Sequence, residues 1–163
     1  GWIEDDEGYC LPMLIVEGRA LLRDEQRRLK DLKIRFTVIS KFLGFTVPVT
    51  NVVASDKAVI NRLGDDPGAR FPFSVYWSLD AAGRYHYSLR SSKAREDAVD
   101  VGFLAACLGG GGHVSAAGVV TCVSPRTLCD HLSVVSEWES VKAIPPGERR
   151  AVADALHKRN VLR

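Results

Sequence analysis

The stretch that most limits what this chain can fold into is Gly109-Gly110-Gly111-Gly112-His113-Val114-Ser115-Ala116-Ala117-Gly118. Each glycine loses more backbone freedom on folding than any other residue, so four in a row are costly inside a domain. Such a run suits a backbone that takes unusual angles or lies against a ligand. Successive N–H groups of a glycine loop can converge into a small anion-binding nest. A flexible surface linker is the bland alternative, but linkers are Gly/Ser runs with polar flanks. Here Val101 to Leu108 precedes and Val119 to Val123 follows, both apolar. The run therefore reads as a phosphate or nucleotide loop, with His113 as its polar contact.

The other elements follow from pattern. Glu17 to Lys33 reads as a helix, with Leu22, Leu29 and Leu32 on one face. Met13 to Val16 is a strand or the start of that helix. Arg27, Arg28, Lys30 and Lys33 suit the negative end of the helix dipole better than they mark a nucleic-acid contact. Phe36 to Ile39 and Phe45 to Val53 read as strands broken at Gly44, with Pro48 at an edge or a bend. Ser55 to Leu63 reads as a short helix and Asp65 to Gly68 as a loop. Phe73 to Leu79 and Arg84 to Ser91 form the clearest hairpin, with His86 as a surface residue. Asp97 to Leu108 is expected to be a helix ended by the glycine run. A turn at 115–117 and a strand over Val119 to Val123 come next. Ser124 caps a helix running to Trp138, and Glu148 to Arg159 is a last charged helix after Pro145-Pro146-Gly147. The fold class is α/β (α+β): a mixed β-sheet packed by helices, with an extra C-terminal helical segment.

Composition excludes little. The 163 residues suffice for one domain, and a net charge of +2 does not announce a nucleic-acid binder. Glu4 to Glu7 is an acidic run without a His or spaced carboxylate, hence a solvated face and not a metal site. Cys10, Cys107, Cys122 and Cys129 form no C-x-x-C pair. They read as reduced thiols, three of them near the core, in a reducing, cytoplasmic compartment. No apolar run reaches membrane-span length, so no membrane partner is expected. Gly1 stands where an initiator Met would, so the chain is expected to be a piece of a longer one.

Arg90 ends the second hairpin strand, where its fork could meet phosphate oxygens at the sheet rim, and Ser91 could add a hydroxyl. The glycines are not a Walker loop, since no Lys-Ser/Thr follows. Nor are they a dinucleotide fingerprint, since they end a helix. No G-x-S-x-G and no His/Asp cluster accompanies them, so His113 reads as a ligand contact before a general base.

Ser88-Leu89-Arg90-Ser91, an amphipathic helix, then Leu108-Gly-Gly-Gly-Gly-His113-x-x-Ala116-Ala117-Gly118 closely resemble the DHH-associated domain, subfamily one. That is the C-terminal substrate-binding domain of DHH-superfamily phosphoesterases, among them oligoribonucleases, bisphosphonucleotide phosphatases and cyclic-dinucleotide phosphodiesterases. The resemblance covers Gly18 to Val123, and Glu17 to Leu22 resembles the linker helix of the oligoribonuclease branch. Val114 departs from the pattern, where many members have Pro.

The resemblance implies three parts: an N-terminal segment over 1–17, the substrate-binding domain over 18–123, and a C-terminal helical extension over 124–163. It implies binding of short RNA or DNA oligonucleotides or nucleoside phosphates by Arg90, Ser91, Gly110, Gly111, Gly112, His113 and Gly118. Catalysis would fall to a DHH catalytic domain, in the same or another chain, whose Asp and His residues hold two manganese ions. None of those motifs is present here, so this chain is expected to bind no metal or cofactor and to be inactive alone. A homodimer is left open. The alternative is a non-catalytic nucleic-acid or protein-binding module docking through the helices after Ser124.

Overall fold

The computed structural model describes residues 11–52, 70–93 and 95–159. The expected acidic face at 4–7, the helix at 55–63 and the loop at 65–68 lie outside them. Two compact units are present, Gly1–Arg35 and Phe36–Arg163.

The described residues of the first unit form a single long helix. Helix α1 spans Leu11–Phe36, so the apolar run at 13–16 is helical and the helix is longer than its charged centre suggests. It carries an i,i+4 pair between Arg28 and Asp24 at 2.9 Å.

The second unit is built on a six-stranded sheet. Its strands are β1 (Thr37–Phe42), β2 (Phe45–Asn51), β3 (Ser74–Leu79), β4 (Tyr85–Arg90), β5 (Gly111–His113) and β6 (Ala116–Thr121), in the spatial order β1-β2-β3-β4-β6-β5. All neighbours are antiparallel except β2 and β3, so the sheet is mixed, as the α/β reading requires. One row of paired residues crosses five strands: Val49, Val75, Leu89, Ala117 and Gly112. The first four are buried, and their alternation with half-buried neighbours in β4 is that of strands with one face on a core. Pro48 does not lie in an edge strand. It faces Ile39 of β1 and precedes the first β2–β3 pair, Val49 with Val75, so its missing N–H falls ahead of that ladder.

Helix α2 (Val101–Cys107) lies at the centre of the core, with every residue buried. A helix that is apolar all round must be covered all round. The sheet covers one side. Helices α3 (Pro125–Asp130), α4 (Val135–Val141) and α5 (Pro146–Arg159) add Leu128, Val134, Trp138, Val141 and Ala153 to the same cluster. The rings of Phe103 and Trp138 meet at 5.9 Å. Cys107, the last residue of α2, is buried, and burial pushes its thiol up to about 12. Cys129 is half-buried, whereas Cys122 is exposed, so only part of the expected near-core placement of the thiols holds.

Several expected boundaries move, among them the first strand, which is Thr37–Phe42 and not Phe36–Ile39, and the second, which ends at Asn51. Helix α2 begins at Val101, not Asp97, because Asp97 is held in a turn by Arg95 at 2.6 Å and Asp100 is the cap. The turn after the glycines is Val114-Ser115, and β6 starts at Ala116. The final helix begins at Pro146. The helix expected from Ser124 to Trp138 is two helices. Ser124 does cap the first, accepting from the Thr127 N–H. The break between them holds the β1–β2 turn: the Leu43 N–H donates to the Leu128 carbonyl at 3.1 Å, and the Val134 N–H donates to the Leu43 carbonyl at 3.0 Å. Leu43 and Gly44 both have positive φ, 52° and 90°, the requirement of a tight two-residue hairpin turn.

The polar key to this layer is Asp100. Its carboxylate accepts the Phe103 N–H at 3.0 Å as the α2 cap and pairs with Arg149 of α5 at 3.1 Å. The side chains are only 4% and 14% exposed. Arg149 also donates to the carbonyls of Ile144 and Lys142 and lies 5.2 Å from the centre of the Trp138 ring. Removing one partner of a buried pair strands the other. Asp100→Ala should therefore cost about 3 kcal/mol or more of unfolding free energy by denaturant titration, combining cap loss with a stranded guanidinium. Asp100→Asn still caps and should cost clearly less. Equal losses for the two variants would show that the cap adds nothing to the lost charge pair.

The β3–β4 turn holds a pH-sensitive group. The Asp80 carboxylate sits 2.8 Å from His86 Nε2 and accepts the backbone N–H groups of Ala82 and Arg84. The His86 hydrogen bond, then the Arg84 N–H, holds it well below the ordinary value of 3.8. A depressed carboxylate adds stability above its unfolded pKa and loses it as the pH falls toward the folded one. The wild-type melting temperature should thus drop more steeply below about pH 4 than that of Asp80→Asn. Parallel profiles for the two proteins would refute this.

Candidate phosphate site

The glycine run is accounted for residue by residue. Gly109 and Gly110 close helix α2: the Gly109 N–H donates to the Ala106 carbonyl at 3.0 Å and the Gly110 N–H to the Ala105 carbonyl at 2.8 Å. That is the paired-bond C-terminal cap in which the first residue beyond the helix is left-handed, and Gly109 has φ +82°. His157 of α5 completes it. Its Nδ1 lies 3.2 Å from the Cys107 carbonyl, and its ring occupies the space that a Cβ at Gly109 would need. Gly110 is pressed against the backbone of β6 at Gly118 and Val119.

The run therefore does not make a nest of converging N–H groups. Its first two N–H groups are spent on capping, and Gly111–His113 is an edge strand and not a loop. Gly112 has φ +148°, and Ala117 leaves no room for a side chain there. On the other side, the α2 N-terminus abuts the same strand. The Val101 N–H donates to the Val114 carbonyl at 3.0 Å, and Gly102 faces the carbonyls of Gly112 and His113.

The sheet register sets the remaining site residues in order. Arg90 of β4 is opposite Ala116 of β6, and Ala116 is opposite His113 of β5. Arg90 and His113 thus share one row, two strand spacings or about 10 Å apart, with a single methyl between them. The next row on that side of β4 and β6 is Ser88 and Gly118, with Gly111 following in the register. Side chains in directly opposed pairs of β4 and β6 share a face. A strip of sheet nearly bare of side chains is the result, edged by a guanidinium and an imidazole. Over Ser88, Gly118 and Gly110 lies an open concavity of about 760 Å³, bounded by Tyr76, His86 and Val120.

Ser91 has a different place. It is buried, its hydroxyl donates to the Pro72 carbonyl at 3.2 Å, and its N–H donates to the Ser115 carbonyl at 3.0 Å. Its hydroxyl ties the end of β4 to the segment before β3, and its N–H ties it to the turn that precedes β6. Arg90 is half-buried, and its Nη1 donates to the Leu89 carbonyl at 3.0 Å. His113 is exposed. Two cationic residues at the run escaped the sequence reading: Arg149, which anchors Asp100, and Arg150, whose Nη2 donates to the Gly110 carbonyl at 3.0 Å. Both are separated from their partners by forty residues or more of sequence, as their bonds span 49 and 40 positions. The only local signal was the charge of the last helix.

Among the described residues, no group of three or more His, Cys, Asp and Glu side chains could hold a metal ion. No helix among them is long and apolar enough to cross a membrane.

No family model matches the sequence, and no curated protein matches it. Among solved structures, the chain is similar to a pGpG-specific phosphodiesterase, PggH, from Vibrio cholerae, at a TM-score of 0.47 and 14% identity, over 88% of this chain and 43% of that one. An exopolyphosphatase-related protein from Bacteroides fragilis gives a TM-score of 0.44 and 16% identity, over 82% and 36%. An uncharacterized protein from Helicobacter pylori gives 0.39 and 18%, over 80% and 32%. The chain spans less than half the length of each.

Proposed function

We propose that this chain is the substrate-binding part of a DHH-type phosphoesterase, holding a phosphate of a short oligonucleotide or nucleoside phosphate against a catalytic domain that it does not contain. The observation that carries the reading is the row Arg90–Ala116–His113 beside Ser88–Gly118. An Arg fork donates two parallel hydrogen bonds to phosphate oxygens, and an imidazole can donate a third. The strip between them lets the phosphate and sugar lie on the sheet itself. The adjoining concavity of about 760 Å³ is within the range of nucleotide-sized sites, and the Tyr76 ring borders it. Its exposed rim is where a second domain would deliver its metals.

In this reading the glycines do not cradle the phosphate with their own N–H groups. Gly110, Gly111, Gly112 and Gly118 keep the strip clear and let β5 press onto β6 and the end of α2. Ser91 positions Arg90 by locking the residue after it. Manganese, two ions on Asp and His side chains, belongs to the partner domain, and the hydrolytic step with it.

Isothermal titration of the chain with 5′-phosphorylated diadenylate should detect binding without hydrolysis. Arg90→Ala and His113→Ala should each weaken it by about 1.5–3 kcal/mol, the size of a charge-assisted hydrogen bond. Unchanged affinity in both variants removes the site. Tighter, strongly salt-dependent binding of long RNA that ignores a terminal phosphate would instead favour a general nucleic-acid module.

A further inference from the structure

We infer that Arg150, from the C-terminal helix, is a further phosphate-binding residue, and that the cleft between β5 and the first turn of α5 is an oxyanion pocket of the same site. The inference rests on the functional reading above for the identity of the ligand, but on separate observations for the pocket.

The cleft holds about 260 Å³ and is walled by Gly102, Gly112, His113, Pro146, Gly147 and Arg150. That volume suits a phosphate group with little else. Its hydrogen-bonding side chains include the His113 imidazole and the Arg150 guanidinium, from elements far apart in sequence. The Arg150 guanidinium is seated by the strand. A Cβ at Gly111 would stand 2.8 Å from Nη1 and 3.0 Å from Nη2, so a side chain there would displace it. The Nη edge of the guanidinium reaches the glycine strand because that position is a glycine.

A guanidinium has five N–H groups. Among the described residues, Arg150 uses two: one to the Gly110 carbonyl at 3.0 Å, and the Nε to Asp154 at a long 3.3 Å. The side chain is 45% exposed, so the remaining donors are open to a ligand. Two carboxylates must be weighed against it. Asp100 also borders the cleft, but Arg149 and the Phe103 N–H occupy its oxygens. Asp154 is an exposed i,i+4 partner of the kind that competes weakly in water. Arg150 therefore stays anchored at one edge and available at the other. The helical segment after Ser124 is then part of the binding site, adding a positive charge on the side of His113 away from Arg90.

The test uses the full chain and two probes, inorganic phosphate and 5′-phosphorylated diadenylate. In amide NMR titrations, phosphate should shift Gly112 and Gly147. Arg150→Ala should weaken both probes about tenfold while keeping the wild-type melting temperature, the loss expected for one charge-assisted bond. Arg150→Lys should recover only part of the loss, since it restores the charge but not the fork. Asp154→Asn, an exposed change that leaves the fold alone, should tighten both probes about twofold by freeing Nε. If diadenylate binding depends on Arg90 and His113 but not on Arg150 or Asp154, the pocket is refuted and the functional reading stands. Arg150-dependent binding of phosphate without any binding of diadenylate keeps the pocket and refutes the nucleotide reading. Absence of binding by either probe refutes both.

Discussion

The buried pair of Asp100 and Arg149 is the interaction on which the rest of this fold depends. One carboxylate caps the start of α2 and fixes the start of α5, while its arginine partner closes the carbonyls at the end of α4. A charge in the interior is tolerable only with its hydrogen bonds complete. Here each member has several partners, and Trp138 covers the guanidinium. Because α2 runs from Asp100 straight into the glycines, whatever sets its N-terminus also sets where the glycine strand leaves its C-terminus. The candidate site is thus positioned from both ends of one seven-residue helix.

The glycine run has a more ordinary explanation than its cost suggests, and a more useful one. Positive φ at Gly109 and Gly112, the pressure of β6 on Gly110 and Gly112, and the His157 ring and Arg150 guanidinium of α5 at Gly109 and Gly111 together claim all four positions. Once those demands are met, β5 keeps a side chain only at His113, in the row of Arg90, and the bareness of the candidate surface follows from packing. Structural and functional readings of the same residues do not compete here. Removing side chains to bring backbones together also leaves the flat bed that the proposed phosphate would need.

The β3–β4 hairpin was legible in the sequence because its alternation, turn residues and length all agree within about twenty residues. The capping of α3 by Ser124 was legible for the same reason. What could not be read was set at a distance. The division between α3 and α4 is imposed by Leu43, some ninety residues earlier, whose backbone takes the hydrogen bonds that a continuous helix would have used. The strand character of Gly111–His113 is contrary to glycine's own preference and comes from the register with Ala116–Gly118. Arg90 and His113 were found by motif, but their common row needed the ladder. Arg150 had no motif at all, since a single arginine on a charged helix carries no mark of the carbonyl it will reach.

The turn at Leu43-Gly44 has a consequence for how the molecule comes into being. Both polar backbone atoms of Leu43 are satisfied only by residues of the α3–α4 region, and the α2 cap is complete only with Arg149. During synthesis the first hairpin and the central helix leave the ribosome well before those partners exist. Non-local closure of this kind is slow, and it leaves apolar surface uncovered while the chain grows. The last helix is therefore the lock of the structure, and a ribosome that stalls before it releases a sheet with its core open to solvent.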